Sequence, residues 1–435
     1  MKSRVIFLVC FLGAWISEAQ TTRLDKEAAF SAALDKNFGI QVSRNQLSIA
    51  KNNASVLNSG FLPTVSAISA ANYNQDNSTI EFPGQFLEDG SPRPNLTLDQ
   101  AEAQRYNTGL QLNYTLFDGM GRRYNYKALK NRYALSELQL RETIENTVIQ
   151  LFSVYFRVAQ LSENSAVLEN ILGLSKRRLT RAEYAFELGQ TNKLAVLNAA
   201  VDVANDSISL LNAQQNLGTA KRDLGVLINS DLQQDFKVDT TVVFLPLQRV
   251  ETLLESAKQN NVQLLLAQTN TRINEYDLKV SQSGFLPRVG LTGSYGWNLN
   301  QSAASAFFPG VNNTNYNIAL GANLTWNLFS GGQTLTRIKN AKLALDNQEI
   351  LQAQQDLSFE RDLMNAWQVY ENSLSIFALQ EALVKTSAVN FKRTEEQYAL
   401  GTITAIEFRQ AQLNLLNAEI ASFELAIIFV YFLLL

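Results

Sequence analysis

Reactive side chains are scarce in this sequence. Among 435 residues there is no histidine and one cysteine, Cys10. That removes Ser-His-Asp and Cys-His nucleophilic relays, histidine metal sites and the usual neutral-pH general base. Cys10 lies in an apolar N-terminal run, so neither a disulfide frame nor a cysteine-cluster metal site is available. Gly119-Met120-Gly121 followed by Arg122 and Arg123 is glycine-rich and basic, but it lacks the spacing and the Lys-Ser/Thr ending of a phosphate loop and reads as a bend between two elements. Asp76, Glu81, Glu88, Asp89 and Asp99 crowd a proline-containing stretch. They lack the alternating ligands and central glycine of a calcium loop, and read as a solvated loop. With 37 Lys+Arg against 40 Asp+Glu, there is no basic footprint for nucleic acid. The sequence therefore predicts no catalytic residue, no cofactor and no metal site, and function has to come from what the elements build.

Lys2 and Arg4, an apolar stretch from Val5 to Ile16, and Ser17-Glu18-Ala19 predict a signal peptide over residues 1–19. The stretch is shorter than the roughly 20 apolar residues a membrane helix needs. The mature chain is expected to work outside the cytoplasm. It belongs to a protein with 46% hydrophobic residues, yet no later run reaches membrane-helix length. Its apolar surface must be buried in a core or lie on a β-type membrane surface.

Internal repetition organises the rest. Ser59-Gly60-Phe61-Leu62-Pro63 recurs 224 residues on as Ser283-Gly284-Phe285-Leu286-Pro287. Leu112-Asn113-Tyr114-Thr115-Leu116-Phe117-Asp118-Gly119 recurs 212 residues on as Leu324-Thr325-Trp326-Asn327-Leu328-Phe329-Ser330-Gly331. Phe186-Glu187-Leu188-Gly189 matches Tyr398-Ala399-Leu400-Gly401 at the same 212. Two copies of one unit are expected, at 20–230 and 250–435, joined by a connector at 231–249. Each copy reads as a helix, a β-hairpin (about 63–117; about 286–328), a very long helix (119–188; 331–400), a glycine turn and a returning helix (192–229; 404–430).

The hairpins alternate with period two. Val289, Leu291, Tyr295 and Trp297 face one way and Gly290, Thr292, Ser294 and Asn298 the other, and Tyr316 to Leu328 repeats the pattern. A soluble sheet with one buried face gives the same alternation. Three details favour a membrane barrel: the polar faces carry almost no charge, the apolar faces end in aromatics, and a signal peptide precedes them. On that reading Asn113, Asn323 and Asn327 face a barrel lumen, and Trp297, Trp326, Phe117 and Phe329 sit at the membrane interface. Four strands are too few to close alone, and an open edge cannot face lipid, so closure requires an oligomer.

From Gly119 to Leu188 no proline interrupts the chain, and one helix of that length runs about 100 Å. Ile144, Val148, Leu151, Tyr155 and Val158 form a coiled-coil seam, and Leu343, Ile350, Leu357 and Met364 lie seven apart. Asp118 and Ser330 stand where N-caps belong, and Gly189 and Gly401 where helices end in a left-handed residue.

In the order, duplication and spacing of these motifs the whole mature chain resembles the TolC-like outer-membrane efflux proteins. The resemblance implies an α+β membrane protein in the bacterial outer membrane and periplasm. It implies a homotrimer whose three four-stranded sheets form one twelve-stranded barrel in outer-membrane lipid, with helical hairpins forming a periplasmic α-barrel. It also implies a channel rather than an enzyme, working with a periplasmic adaptor (membrane fusion) protein and an inner-membrane efflux pump or ABC exporter. The family's entrance lies at the hairpin turns, and the matching positions here are Gly189, Tyr398, Gly401, Thr404, Glu407 and Gln410. Three Glu407 carboxylates around a threefold axis would repel one another and form a cation-binding ring. Gln410 departs from the family's doubly acidic pattern, and Ile403 replaces a basic residue found in some members. The ordinary alternative for Glu407 is a solvated charge near a helix start. For the chain as a whole the alternative is an exported coiled-coil scaffold, which leaves the aromatic strands unexplained.

Overall fold

The computed structural model describes residues 22–233, 235–240, 256–304 and 309–434, with side chains through Ser422. The predicted signal peptide and the part of the connector beyond Thr240 lie outside the described residues. In chain order the elements are β1 (Thr22–Leu24), α1 (Lys26–Lys36), α2 (Phe38–Asn53), β2 (Thr64–Ile80), β3 (Leu96–Phe117), α3 (Gly121–Glu187), α4 (Lys193–Ile228), β4 (Phe236–Val238), α5 (Val262–Gln282), β5 (Arg288–Ser302), β6 (Val311–Thr325), α6 (Gln333–Ala399) and α7 (Ala405–Leu434). The long helices of the two copies are the same length, 67 residues each. The chain divides into a sheet unit (Gln46–Leu138 and Gln263–Asp356) and a helical unit made of the remaining segments.

In the sheet unit four antiparallel strands lie in the order β2-β3-β5-β6. The register sorts the faces. Val65, Leu112, Gly293 and Leu320 form one cross-strand row, and Ala67, Leu110, Tyr295 and Ile318 the next. The opposite face carries the row Thr64, Asn113, Thr292 and Gly321. There a glycine repeatedly makes room for an amide: a Cβ on Gly290 would sit 2.7 Å from Asn323 Oδ1, and one on Gly296 3.2 Å from Asn317 Oδ1. The apolar rows are bare, with Leu320 86% and Ile318 74% exposed. β2 and β6 are the sheet's two edges and are exposed along their whole lengths.

The first hairpin reaches further than its alternation suggests. β2 runs to Ile80 and β3 begins at Leu96, so Asp76 and Asp99 lie in strands rather than in a loop. A bulge between Asp76 and Ser78 allows this. Gln100 takes a left-handed backbone (φ 54) there, and its N–H donates to Asn77 Oδ1 at 2.6 Å. The remaining turn is ordered around Asp89-Gly90, where Asp89 Oδ1 accepts from Ser91 N–H and Ser91 Oγ.

The strand-to-helix joints repeat in detail. Ser59 Oγ donates to Val56 O and Ser283 Oγ to Val280 O. Asp118 accepts from Arg122 N–H at 2.8 Å, and Ser330 Oγ from Thr334 N–H at 3.3 Å, so both side chains bind first-turn N–H groups, but from three residues before the helix starts rather than from the expected N-cap position. Two left-handed residues precede each long helix: Gly119 and Met120, then Gly331 and Gly332.

In the helical unit the core gathers Ala29 and Ala33 of α1, Leu151, Tyr155 and Val158 of α3, and Ala220, Leu224 and Ile228 of α4. The predicted seam residues Leu151, Tyr155 and Val158 are fully buried. Tyr155 Oη donates to Leu24 O at 2.8 Å and accepts from Asp239 N–H at 2.9 Å. It thereby clasps both strands of the parallel pair β1-β4, and burial raises its pKa. α4 is long and apolar enough to cross a membrane by length and composition, a signal the uninterrupted-run reading did not expect. Its Asp202 and Asp206 are engaged within the helical unit, as described next.

Candidate functional site at the helical hairpin turns

Both hairpin turns belong to the helical unit and share one construction. At the first, Gly189 has φ 70, Gln190 N–H donates to Ala185 O and Gly189 N–H to Phe186 O. At the second, Gly401 has φ 76, Thr402 N–H donates to Gln397 O and Gly401 N–H to Tyr398 O. This is the Schellman ending, which satisfies carbonyls left over by the helix and needs a left-handed residue. Each returning helix is then capped. Asn192 Oδ1 accepts from Ala195 N–H at 3.1 Å, and Thr404 Oγ1 from Glu407 N–H at 3.3 Å. These partners are again 212 residues apart.

The second cap is reciprocal. Glu407 Oε2 accepts from Thr404 N–H at 2.8 Å and from Thr404 Oγ1 at 2.9 Å, so Thr404-x-x-Glu407 is a capping box. These donors hold the Glu407 carboxyl below its ordinary range. The Thr404-x-x-Glu407 spacing is itself a sequence signature of this cap. Gln410 Nε2 donates to Asn414 Oδ1 along the same helix. Tyr398 stacks on Phe408 with ring centroids 4.7 Å apart, and the Arg181 guanidinium lies 5.1 Å from the Tyr398 ring centre and donates to Ala399 O. Around the turns Leu188, Leu400 and Ile406 are exposed at 72%, 80% and 80%.

Further along the same helices lies a buried ionic cluster that the sequence reading did not identify. Asp206 of α4 accepts from Ser175 Oγ at 2.6 Å and, bidentately, from Arg409 of α7 at 2.7 and 2.9 Å. Arg178 of α3 pairs with Asp202, and Arg409 also reaches Asp202 at 3.8 Å. Gln412 closes the cluster, accepting from Arg409 and donating to Ile171 O. Ser175, Arg178, Asp206 and Gln412 are all buried. Burial first, and the neighbouring Arg409 charge second, lower the Arg178 pKa. Two carboxylates balance two guanidinium groups, which is what makes buried charge tolerable. The cluster ties α7 to α3 and α4, and just beyond it Leu168, Ile171, Ala213 and Leu416 form an apolar cluster.

The other predicted residues lie in the sheet unit. Asn113 and Asn323 share its glycine-lined polar face. Asn327 lies past the end of β6, outside the strand. Trp297 is half-buried opposite Tyr316, Trp326 donates through Nε1 to Phe285 O at 3.0 Å, Phe117 ends β3 half-buried, and Phe329 is 88% exposed.

A paired-hairpin chain with one four-stranded sheet invites comparison with known proteins. The model of the family described as "Outer membrane efflux protein" matches residues 29–230 and 253–426, one stretch for each copy. The chain belongs to the outer membrane efflux protein family. It is 24% identical over 332 residues to the outer membrane efflux protein BepC of Brucella suis, covering 75% of this chain and 71% of that one. To the outer membrane protein TolC of Vibrio cholerae it is 23% identical over 291 residues, covering 65% of each. The fold matches solved structures of a membrane protein from Pseudomonas aeruginosa (TM-score 0.75, 18% identity, 94% of this chain and 88% of that) and of the outer membrane protein VceC from Vibrio cholerae (0.73, 15%, 94% of each). As a family member the chain is an outer-membrane channel-tunnel for export that extends into the periplasm.

Proposed function

We propose that three copies of this chain close their sheets, edge β6 to edge β2 of the next, into one twelve-stranded barrel. Solutes then pass from an inner-membrane pump and a periplasmic adaptor through a helical tunnel to the exterior, with no chemistry done by the chain itself. The observation that carries this is the sheet. It has two long unpaired edges, which lipid does not tolerate unless they pair with further copies, and a bare apolar face, which lipid covers and water does not. Asn113 and Asn323 face the water-filled interior on this reading, and Trp297, Trp326, Phe117 and Phe329 the membrane interfaces.

The hairpin turns are the periplasmic entrance. Their exposed Leu188, Leu400 and Ile406 offer apolar contacts to an adaptor. Glu407 carboxylates from three chains form a cation-attracting ring. Mutual repulsion raises their pKa, while the Thr404 donors hold each one ionised, so at neutral pH the ring stays charged. The test is the native mass of detergent-purified protein together with disulfide cross-linking of cysteine pairs scanned along β2 and β6. A three-chain mass and β2–β6 cross-links between chains are expected. A monomer that is folded and fully extracted contradicts the reading.

A further inference from the structure

We propose that the cavity at the strand-to-helix joint is a binding site for a phosphate-type oxyanion, one per chain, separate from the hairpin turns and not required by the duct reading. The cavity lies within the sheet unit and measures about 260 Å³. Its polar lining comes from Asp118, Arg122, Asn125, Ser283, Arg288 and Arg337. That volume is several times the roughly 30 Å³ share of one water, so it accommodates a tetrahedral oxyanion with part of its hydration.

The walls are fixed. A Cβ on Gly121 would come within 2.8 Å of Ser283 Oγ, and one on Gly119 within 2.6 Å of Ser283 O. The start of α3 is therefore pressed against the Ser283–Leu286 turn. The charges are unequal. Arg122 and Asp118 neutralise each other at 3.2 Å, and Arg122 Nη1 is taken up by Gly60 O at 2.9 Å. Among the described residues the side chains of Arg288 and Arg337 make no ion pair and no hydrogen bond. Two arginines, both exposed, thus line one cavity with no protein anion paired to them. Guanidinium forks fit oxyanions through paired N–H donors, and two like charges at one cavity favour an anion between them. The duplication sharpens the point. The first-copy positions matching Arg288 and Arg337 are Thr64 and Asn125, so the excess charge belongs to the second copy alone. Asn125 and Arg337, equivalent in the repeat, meet at the same cavity.

The oxyanion has two possible sources, a soluble phosphate and the headgroup of a phospholipid. The experiment separates them using the full-length protein in a non-ionic maltoside detergent. Isothermal titration with inorganic phosphate measures the soluble source, and native mass spectrometry of protein purified from outer membranes counts retained phospholipid. The variants are Arg288→Gln, Arg337→Gln, their combination, the charge-retaining Arg288→Lys/Arg337→Lys pair, and Arg361→Gln as an exposed control. One phosphate per chain, weakened about tenfold or more in each Gln variant and largely kept in the Lys pair, supports a soluble-anion site. One phospholipid per chain, lost in the double Gln variant, supports the same site filled by a headgroup. Phosphate uptake and lipid retention that are equal in wild type and the double Gln variant overturn the proposal. If the double variant does not fold, the single variants and the Lys pair give the same reading.

Discussion

Replacing Asp206 by Ala tests the buried cluster that ties α7 to α3 and α4. The side chain is 7% exposed and accepts three hydrogen bonds, two of them from the Arg409 guanidinium. Its removal leaves Arg178 and Arg409 with only Asp202 between them. Removing one partner of a buried pair costs about 3–5 kcal/mol. Because Asp202 pairs with Arg178 and stands 3.8 Å from Arg409, the low end applies, about 3 kcal/mol, with a further share from the orphaned Ser175 hydroxyl. The assay is amide hydrogen exchange over residues 405–418, which reports local opening of α7. At about 1.4 kcal/mol per factor of ten, exchange there is expected to rise about a hundredfold. An Asp206→Leu/Arg409→Leu pair removes both charges together and should cost about 1–2 kcal/mol less than the two single changes added, because buried ion pairs are often replaceable by apolar residues. Exchange in Asp206→Ala that rises less than threefold while the assembly stays intact, or single-variant effects that simply add, would mean that the cluster does not hold α7 in place.

The further predictions concern the turns, the joints and the buried Tyr155 hydroxyl. Glu407→Gln keeps the capping geometry but removes the charge, whereas Thr404→Ala removes the cap and keeps the charge. Only the first should change the cation dependence of conductance, and the second should raise exchange at the start of α7. Because the folded pKa of Glu407 is lowered, its contribution to the cap is present above the ordinary carboxylate range and lost as pH falls through the lowered value, so opening at residues 404–408 should increase on acidification. Met120→Gly relieves a left-handed non-glycine residue at φ 68, where the second copy already has Gly332, and is expected to stabilise by about 1 kcal/mol in thermal melting. Gly119→Ala should do the opposite, since its Cβ would meet Ser283 O. Tyr155→Phe leaves Leu24 O and Asp239 N–H without their partner in a buried setting, and should cost about 1–3 kcal/mol by the same measurement.

Much of the architecture is legible in the sequence because the chain writes it twice. The offsets of 224 and 212 place both joints and both turns, and the hydrogen bonds repeat at those spacings. β5 and β6 are legible because their alternation is unbroken. The outer reaches of β2 and β3 are not, since Glu102, Gln104 and Arg105 put polar residues on both faces and erase the period-two signal. The ionic cluster is hidden for a different reason. Ser175 and Arg178, Asp202 and Asp206, and Arg409 and Gln412 each share a helix face at spacings of three or four, yet a charge on a helix looks solvated until another helix covers it. The oxyanion cavity is likewise a product of tertiary contact, because it joins residues from both copies.

An export duct must pass ions once it is assembled. Single-channel recording of the purified protein in a planar bilayer, with divalent cations titrated on the side of the hairpin turns, measures that passage. Small, long-lived conductance steps that divalent cations block are expected, with a block that weakens in Glu407→Gln. Protein that melts cooperatively and has the mass of three chains, yet passes no current, would contradict the duct.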